Sequence, residues 1–164
     1  MGLAAFFGNR TVEREERDQS AAVEIGTRRP LILIVDDEAP VLDVVRRILT
    51  AYQSDVLQAS SGHEALEIAE RHPEPIDMLI TDLRMPRMDG HELAEALHAR
   101  HPALKVLFLT GFSEDLFKLR ELLPNWAAYV DKPISPEALR QAAALMLYGT
   151  TNPKGPSLVK AAPK

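Results

Sequence analysis

There is no cysteine among the 164 residues. That absence removes a disulfide framework, a thiolate metal centre, a redox Cys-x-x-Cys and a cysteine nucleophile together. It agrees with a reducing compartment, so a cytoplasmic location is the expectation. Missing too is any run of roughly 18 apolar residues, the length needed to span a bilayer. The apolar start, Met1 to Phe7, lacks a basic leader, and Phe6 stands where a myristoylation signal wants Ser or Thr. No membrane role is expected. There is no basic excess either: the formal net charge is −5, which argues against direct nucleic-acid binding. No internal repeat is found.

What is present is ordinary globular material, 46% apolar and 26% charged. The charge is uneven. Residues 1–29 carry five basic and five acidic residues, residues 30–148 carry a balance of −8, and residues 149–164 carry three lysines and no acid. This divides the chain into an N-terminal extension over 1–29, a core domain over 30–148 and a flexible C-terminal tail over 149–164. The extension reads as an exposed helix or a disordered segment. The tail holds Gly149, Pro153, Gly155, Pro156 and Pro163, a poor composition for a core element.

Within the core domain, short apolar runs alternate five times with helical patterns. Leu31 to Val35 precedes a 3.6-residue pattern over Ala39 to Tyr52, with Pro40 suited to a first turn. Asp55 to Ala59 precedes Ser61-Gly62-His63-Glu64, a capping-box pattern. Asp77 to Thr81 precedes Asp89-Gly90-His91-Glu92, a second helix start. Leu104 to Leu109 precedes a helix from Ser113 through Leu122, and Ala127 to Val130 precedes a fifth helix opened by Ser135-Pro136-Glu137. Strand-then-helix units in series predict an α/β fold, a five-stranded parallel sheet with helices on both faces. Five strands suit the flavodoxin-like doubly wound order 2-1-3-4-5. Ligands in such sheets bind beyond the carboxyl ends of the strands, where the winding reverses.

The residues expected there are chemically coherent. Strand one ends in Asp36-Asp37-Glu38, strand three in Thr81-Asp82, strand four in Thr110-Gly111, and strand five runs into Asp131-Lys132-Pro133. Clustered carboxylates repel unless protonated or bound to a cation. Oxygen ligands without Cys or His favour a hard ion, Mg²⁺ or Mn²⁺. An aspartate can be a nucleophile toward phosphorus. The three equatorial oxygens then need neutralising by the ion, by Lys132, and by Thr110 or the backbone N–H beyond Asp82.

Four ordered stretches carry a resemblance: Ile34-Val35-Asp36-Asp37-Glu38, Thr81 through Gly90, Leu109-Thr110-Gly111-Phe112, and Tyr129-Val130-Asp131-Lys132-Pro133. Across residues 30–148 the chain resembles the receiver domain of two-component response regulators. The resemblance implies that Asp82 is the phosphoacceptor and that Asp36 and Asp37 form the acidic metal pocket. Mg²⁺ would be held by Asp37, Asp82 and the main-chain carbonyl of Arg84. Thr110 would be the switch hydroxyl, Lys132 the phosphate partner and Tyr129 the switch aromatic, with a cis peptide before Pro133. Gly90 would serve the turn before helix three. Arg84 and Phe112 match the positions that tune phosphoryl lifetime. The chain departs from the family at Pro124-Asn125-Trp126-Ala127-Ala128. Trp126 reads as packing rather than as a surface anchor.

The expected partners are a sensor histidine kinase or a histidine phosphotransfer protein, with Arg46 and Arg47 of helix one contributing to docking. A downstream protein would meet the face of helix four, strand five and helix five, and homodimerisation through that face stays open. A stand-alone receiver is favoured by the initial Met and the long lead; the alternatives are a phosphate sink or phosphorelay intermediate, and the receiver of a hybrid histidine kinase. No separate metabolite is turned over on this reading. An aspartyl-phosphate phosphatase would want Asp-x-Asp at the nucleophile, and Asp82-Leu83-Arg84 has Arg at the second position.

Overall fold

The computed structural model describes residues 28–111 and 123–149. Five strands, β1 (Leu31–Val35), β2 (Asp55–Ala59), β3 (Met78–Asp82), β4 (Lys105–Thr110) and β5 (Ala127–Asp131), alternate with helices α1 (Ala39–Ala51), α2 (Gly62–Arg71) and α3 (Gly90–Arg100), and α4 (Pro136–Tyr148) closes the domain. The expected helix over 113–122 and Phe112 lie outside the described residues, so α4 is the helix expected fifth. All strand pairs are parallel, in the order β2-β1-β3-β4-β5. This is the doubly wound topology predicted from the sequence.

The two helical layers follow from the twofold alternation of each strand. Ile32, Ile34, Met78, Ile80, Leu107, Leu109 and Val130 face α1 and α4, where Leu42, Val45, Leu49, Leu139, Ala142 and Leu147 meet them. Their neighbours Leu33, Val35, Leu79, Val106 and Phe108 face the other way, onto Ala65 of α2 and Leu93, Ala94 and Leu97 of α3. β1 and β3 are buried at every position, which is why they read as unbroken apolar runs. Trp126 is half-buried and stacks on His98 of α3, ring centroids 4.0 Å apart, so it packs as expected.

Helix starts follow local capping chemistry. At α3 the box is complete: Glu92 N–H donates to Asp89 Oδ1 at 2.8 Å and Asp89 N–H to Glu92 Oε2 at 3.0 Å. At α2 only half of it forms. Ser61 Oγ accepts from Glu64 N–H, but the Glu64 carboxylate reaches one residue further back, to the N–H and hydroxyl of Ser60. Those bonds, the backbone one first, hold the Glu64 carboxyl below its ordinary pKa. At α1 the Glu38 side chain makes no capping bond, and Pro40 occupies the first turn.

One long-range anchor was not legible in the sequence. Asp77, expected as the first residue of strand three, stands just before β3. Its carboxylate takes both arms of Arg28, at 2.8 and 2.9 Å, and the Leu31 N–H at 2.8 Å. The carboxylate side chain is only 8% exposed. Asp77→Ala therefore removes three bonds and strands a partly buried guanidinium. The expected cost is about 1–3 kcal/mol. The urea midpoint should fall with an unchanged m-value, and Tm should drop by roughly 5–15 °C. An unchanged midpoint would show that the pair contributes nothing.

Candidate functional site

The carboxyl ends of β1, β3 and β4, and the segment after β5, surround an open cleft of about 210 Å³ lined by Asp37, Glu38, Asp82, Leu83, Arg84, Thr110, Gly111 and Lys132. The strand order creates it. β1 and β3 are neighbours, and the chains leaving them diverge to opposite faces of the sheet.

Asp36 lies beneath the cleft, 1% exposed. Both of its oxygens are engaged: Oδ1 accepts the Glu38 N–H at 2.8 Å, and Oδ2 accepts Lys132 Nζ at 3.1 Å. The same ammonium lies 3.0 Å from Asp82 Oδ1. Asp37 stands at the exposed rim. One oxygen from each of Asp36, Asp37 and Asp82 can be chosen so that all lie within 4.8 Å of one another. The carboxylates of Asp36, Asp37, Asp82 and Glu38 outnumber the cations Lys132 and Arg84, which leaves the pocket short of positive charge. An all-oxygen donor set of this size fits a hard divalent cation.

Electrostatics follow from burial and these neighbours. Burial raises the Asp82 pKa; the Lys132 hydrogen bond and charge pull it down, Asp36 and Asp37 push it up, and the net direction is up. Burial alone would lower Lys132, but its hydrogen bonds to Asp82 and Asp36 outweigh it and the net direction is up. Lys132 therefore stays an ammonium at neutral pH. For Asp82 the linkage runs against stability. A carboxyl with a raised folded-state pKa costs nothing below its unfolded value, and the penalty grows as pH rises through the raised value. Asp82→Asn should therefore melt a few degrees above the wild-type chain at neutral pH in EDTA. The two should converge as pH falls toward the ordinary aspartate range. A variant melting below wild type at neutral pH would contradict the assignment of strain to this carboxylate.

The backbone sets Asp82 in place. Gly90 opens α3, and its N–H donates to the Leu83 carbonyl at 2.9 Å. A Cβ there would lie 2.2 Å from the Asp82 carbonyl oxygen, so only glycine lets the loop after β3 fold back this closely. Met85 and Met88 of that loop pack on the core face shared with α2 and α3. The Lys132–Pro133 peptide is cis.

Thr110 is 3% exposed, and its Oγ1 has no hydrogen-bond partner among the described residues. Leu83 N–H donates to the Leu109 carbonyl at 3.1 Å, so the first amide beyond Asp82 is already committed to the sheet. Tyr129 is not in the cleft. It lies half-buried on β5, in register with Phe108 and packed on the α2–α3 side. Glu38 was missed as a site residue: its amide donates to Asp36 Oδ1, and the residue lines the cleft. Asp131 was missed as well, and its Oδ1 is buried without a partner among the described residues.

Comparison with known proteins agrees with this geometry. A sequence description of the response regulator receiver domain matches residues 32–144. The sensor kinase CckA of Brucella abortus is 30% identical over 136 residues, 83% of this chain and 14% of that protein. The alkaline phosphatase synthesis transcriptional regulatory protein PhoP of Bacillus subtilis is 32% identical over 116 residues, 71% of this chain and 48% of that one. The chain thus spans under half the length of these relatives. A response regulator receiver domain protein from Clostridium thermocellum superposes with a TM-score of 0.66 at 30% identity, covering 72% of this chain and 94% of that one. The solved receiver domain of the hybrid histidine kinase CckA gives 0.61 at 32% identity, covering 71% and 98%. The chain belongs to the response regulator receiver family, a receiver domain of two-component signalling.

Proposed function

We propose that Asp82 accepts a phosphoryl group from a histidine-phosphorylated protein, with Mg²⁺ held by Asp37, Asp82 and the Arg84 carbonyl and Asp36 completing the acidic pocket. The observation that carries this reading is the meeting of three carboxylates with one ammonium, 3.0 Å from Asp82, at the mouth of an open cleft. When bound, the ion supplies the positive charge that the pocket lacks. An Asp82 oxygen attacks phosphorus, the new O–P bond forms as the P–N bond to the donor imidazole breaks, and the nitrogen leaves with the bonding pair and takes a proton. Lys132 moves its hydrogen bond from the carboxylate to a phosphoryl oxygen. The Thr110 hydroxyl donates to another. Thr110 then vacates space toward β5, and Tyr129 turns inward, altering the face of β5, α4 and the segment before β5.

The donor is a sensor histidine kinase or a histidine phosphotransfer protein, docked on α1 around Arg46 and Arg47, and the setting is the cytoplasm. Among the described residues no helix is long and apolar enough to cross a membrane. The output is a protein contact, with a downstream partner or a second copy. The similarity to a sensor kinase favours a second reading with the same chemistry, in which this receiver is an intermediate in a phosphorelay or belongs to a hybrid kinase.

The test uses the full chain, a small acyl phosphate donor and intact-mass measurement. With Mg²⁺ the chain should gain one base-labile phosphoryl group; with EDTA it should gain almost none. Equal labelling in EDTA would sink the metal assignment. Steady phosphate release from added monoesters would favour a phosphatase.

A further inference from the structure

Two buried polar atoms in the described residues have no hydrogen-bond partner, and they lie on adjacent strands. They are the Thr110 hydroxyl oxygen on β4 and Asp131 Oδ1 on β5. Thr110 and Asp131 are direct partners in the parallel register. The Lys132 N–H donates to the Thr110 carbonyl at 2.7 Å, which locks that register beside the pair. Residues paired this way project from the same face of a sheet, on strands about 4.8 Å apart. The face is set by the residues two positions earlier, Phe108 and Tyr129, which pack on the α2–α3 side.

The two groups are complementary. A hydroxyl has one proton to donate, and a carboxylate oxygen only accepts. Leaving each buried and unpaired costs about 1–3 kcal/mol apiece. Their places in the register put the two side chains next to each other on adjacent strands. The two atoms do not meet in this structure, and we infer that Asp131 is a positioning residue for Thr110: after a change of side-chain rotamer its carboxylate accepts the Thr110 hydroxyl proton while Asp82 is unphosphorylated and gives it up when a phosphoryl oxygen competes. The inference rests on the proposed role of Thr110 as a phosphoryl donor group. It adds a named counter-acceptor that opposes phosphorylation. Asp131 is not among the residues lining the cleft, whereas Thr110 is. Its influence passes through a single proton.

The consequence is a coupling between residues 110 and 131 that a packing role would not produce. In Asp131→Ala the Thr110 hydroxyl loses its competing acceptor, and phosphorylation by a small acyl phosphate with Mg²⁺ should speed up about three- to tenfold, the value of one ordinary net hydrogen bond. Asp131→Asn keeps an acceptor oxygen and should fall between the two. In the Thr110→Ala background, itself slow, the Asp131→Ala change should have no effect on rate. The Thr110 methyl resonance of unphosphorylated Asp131→Ala should also move toward its position in the phosphorylated wild-type chain.

The experiment is this four-member cycle on the full chain, with thermal melts confirming folding of each variant and the labelled methyl read in parallel. Loss of the Asp131 effect in the Thr110→Ala background supports the inference. An equal effect in both backgrounds, or a Thr110 resonance unmoved by Asp131→Ala, overturns it while leaving the phosphoacceptor reading intact. Wild-type phosphorylation by Thr110→Ala overturns the role of Thr110 itself, and this inference with it.

Discussion

Asp82→Asn should reduce phosphorylation by a small acyl phosphate to background, a loss of at least about 10³-fold. The substitution keeps the shape of the side chain and removes the proposed nucleophile. The other two carboxylates are poor substitutes for different reasons. Both oxygens of Asp36 are occupied, by the Glu38 amide and by Lys132, under a cover that leaves it 1% exposed. Asp37 is at the rim, and neither hydrogen-bond nor ion-pair geometry places the ammonium on it as it does on Asp82. The variant should also fold at least as well as wild type in EDTA, because the raised pKa marks Asp82 as a strained carboxylate. Loss of labelling with retained or increased stability separates a missing nucleophile from a broken domain. Substantial cation-dependent labelling of Asp82→Asn would show that the acceptor lies elsewhere.

The second large effect belongs to Lys132. Lys132→Ala should slow phosphorylation by about 10²–10³-fold, the usual loss when one charge-stabilising donor is removed from a transition state. It should act on stability and metal binding in opposite directions. The ammonium is the side-chain partner of Asp36 Oδ2, so its removal leaves a deeply buried carboxylate half-paired and costs about 3 kcal/mol in EDTA. The same removal makes the pocket more negative, so Mg²⁺ should bind several-fold tighter and restore part of the lost stability. Slower chemistry with tighter metal binding is a signature that general unfolding cannot mimic. Lys132→Arg keeps the charge and should recover most of the stability, but a planar fork aims its protons differently and should recover little of the rate. Melting curves with and without Mg²⁺, set beside labelling rates, measure all of this. Weaker Mg²⁺ binding by Lys132→Ala would contradict the electrostatic account.

The sheet was legible because its signals are local and redundant. The runs at Leu31–Val35 and Met78–Asp82 are buried on both faces, which only a central parallel strand requires, and alternation with helical patterns then leaves few topologies. The acidic cluster was legible for a similar reason. Asp36, Asp37, Asp82 and Lys132 each sit at a strand end, and the order 2-1-3-4-5 brings such ends together. Other features depend on chain segments that no local pattern connects. Asp77 is held by Arg28, 49 residues away, and nothing in either neighbourhood signals the other. Glu64 chooses Ser60 over Ser61 by reach, a matter of side-chain geometry rather than of motif. Val44 fits the apolar period of α1 and yet is 47% exposed, since a period of 3.6 residues fixes a stripe without fixing its width. Asp131 stood in the sequence only as the residue that follows strand five. Its place beside Thr110, with Oδ1 buried, emerges only from the β4–β5 register.

Exposed aromatic groups add a detail to the helical face opposite α2 and α3. Tyr52, at the end of α1, is 55% exposed and lies under the Arg140 guanidinium of α4, 5.1 Å from ring centre to cation. This contact ties the far end of α1 to α4 without burying either side chain. It is worth about 0.5–1 kcal/mol at such an exposed position.

The most direct test of the central claim is to locate the phosphoryl group. The labelled full chain is treated with hydroxylamine, which converts an acyl phosphate into a stable hydroxamate, and is digested with trypsin. Cleavage after Arg71 and Arg84 yields a peptide that carries both Asp77 and Asp82. Fragmentation of that peptide should place the hydroxamate on Asp82, in samples labelled with Mg²⁺ and not in those labelled in EDTA. A hydroxamate on Asp77, on any other carboxylate, or on Asp82 regardless of the cation would contradict the account.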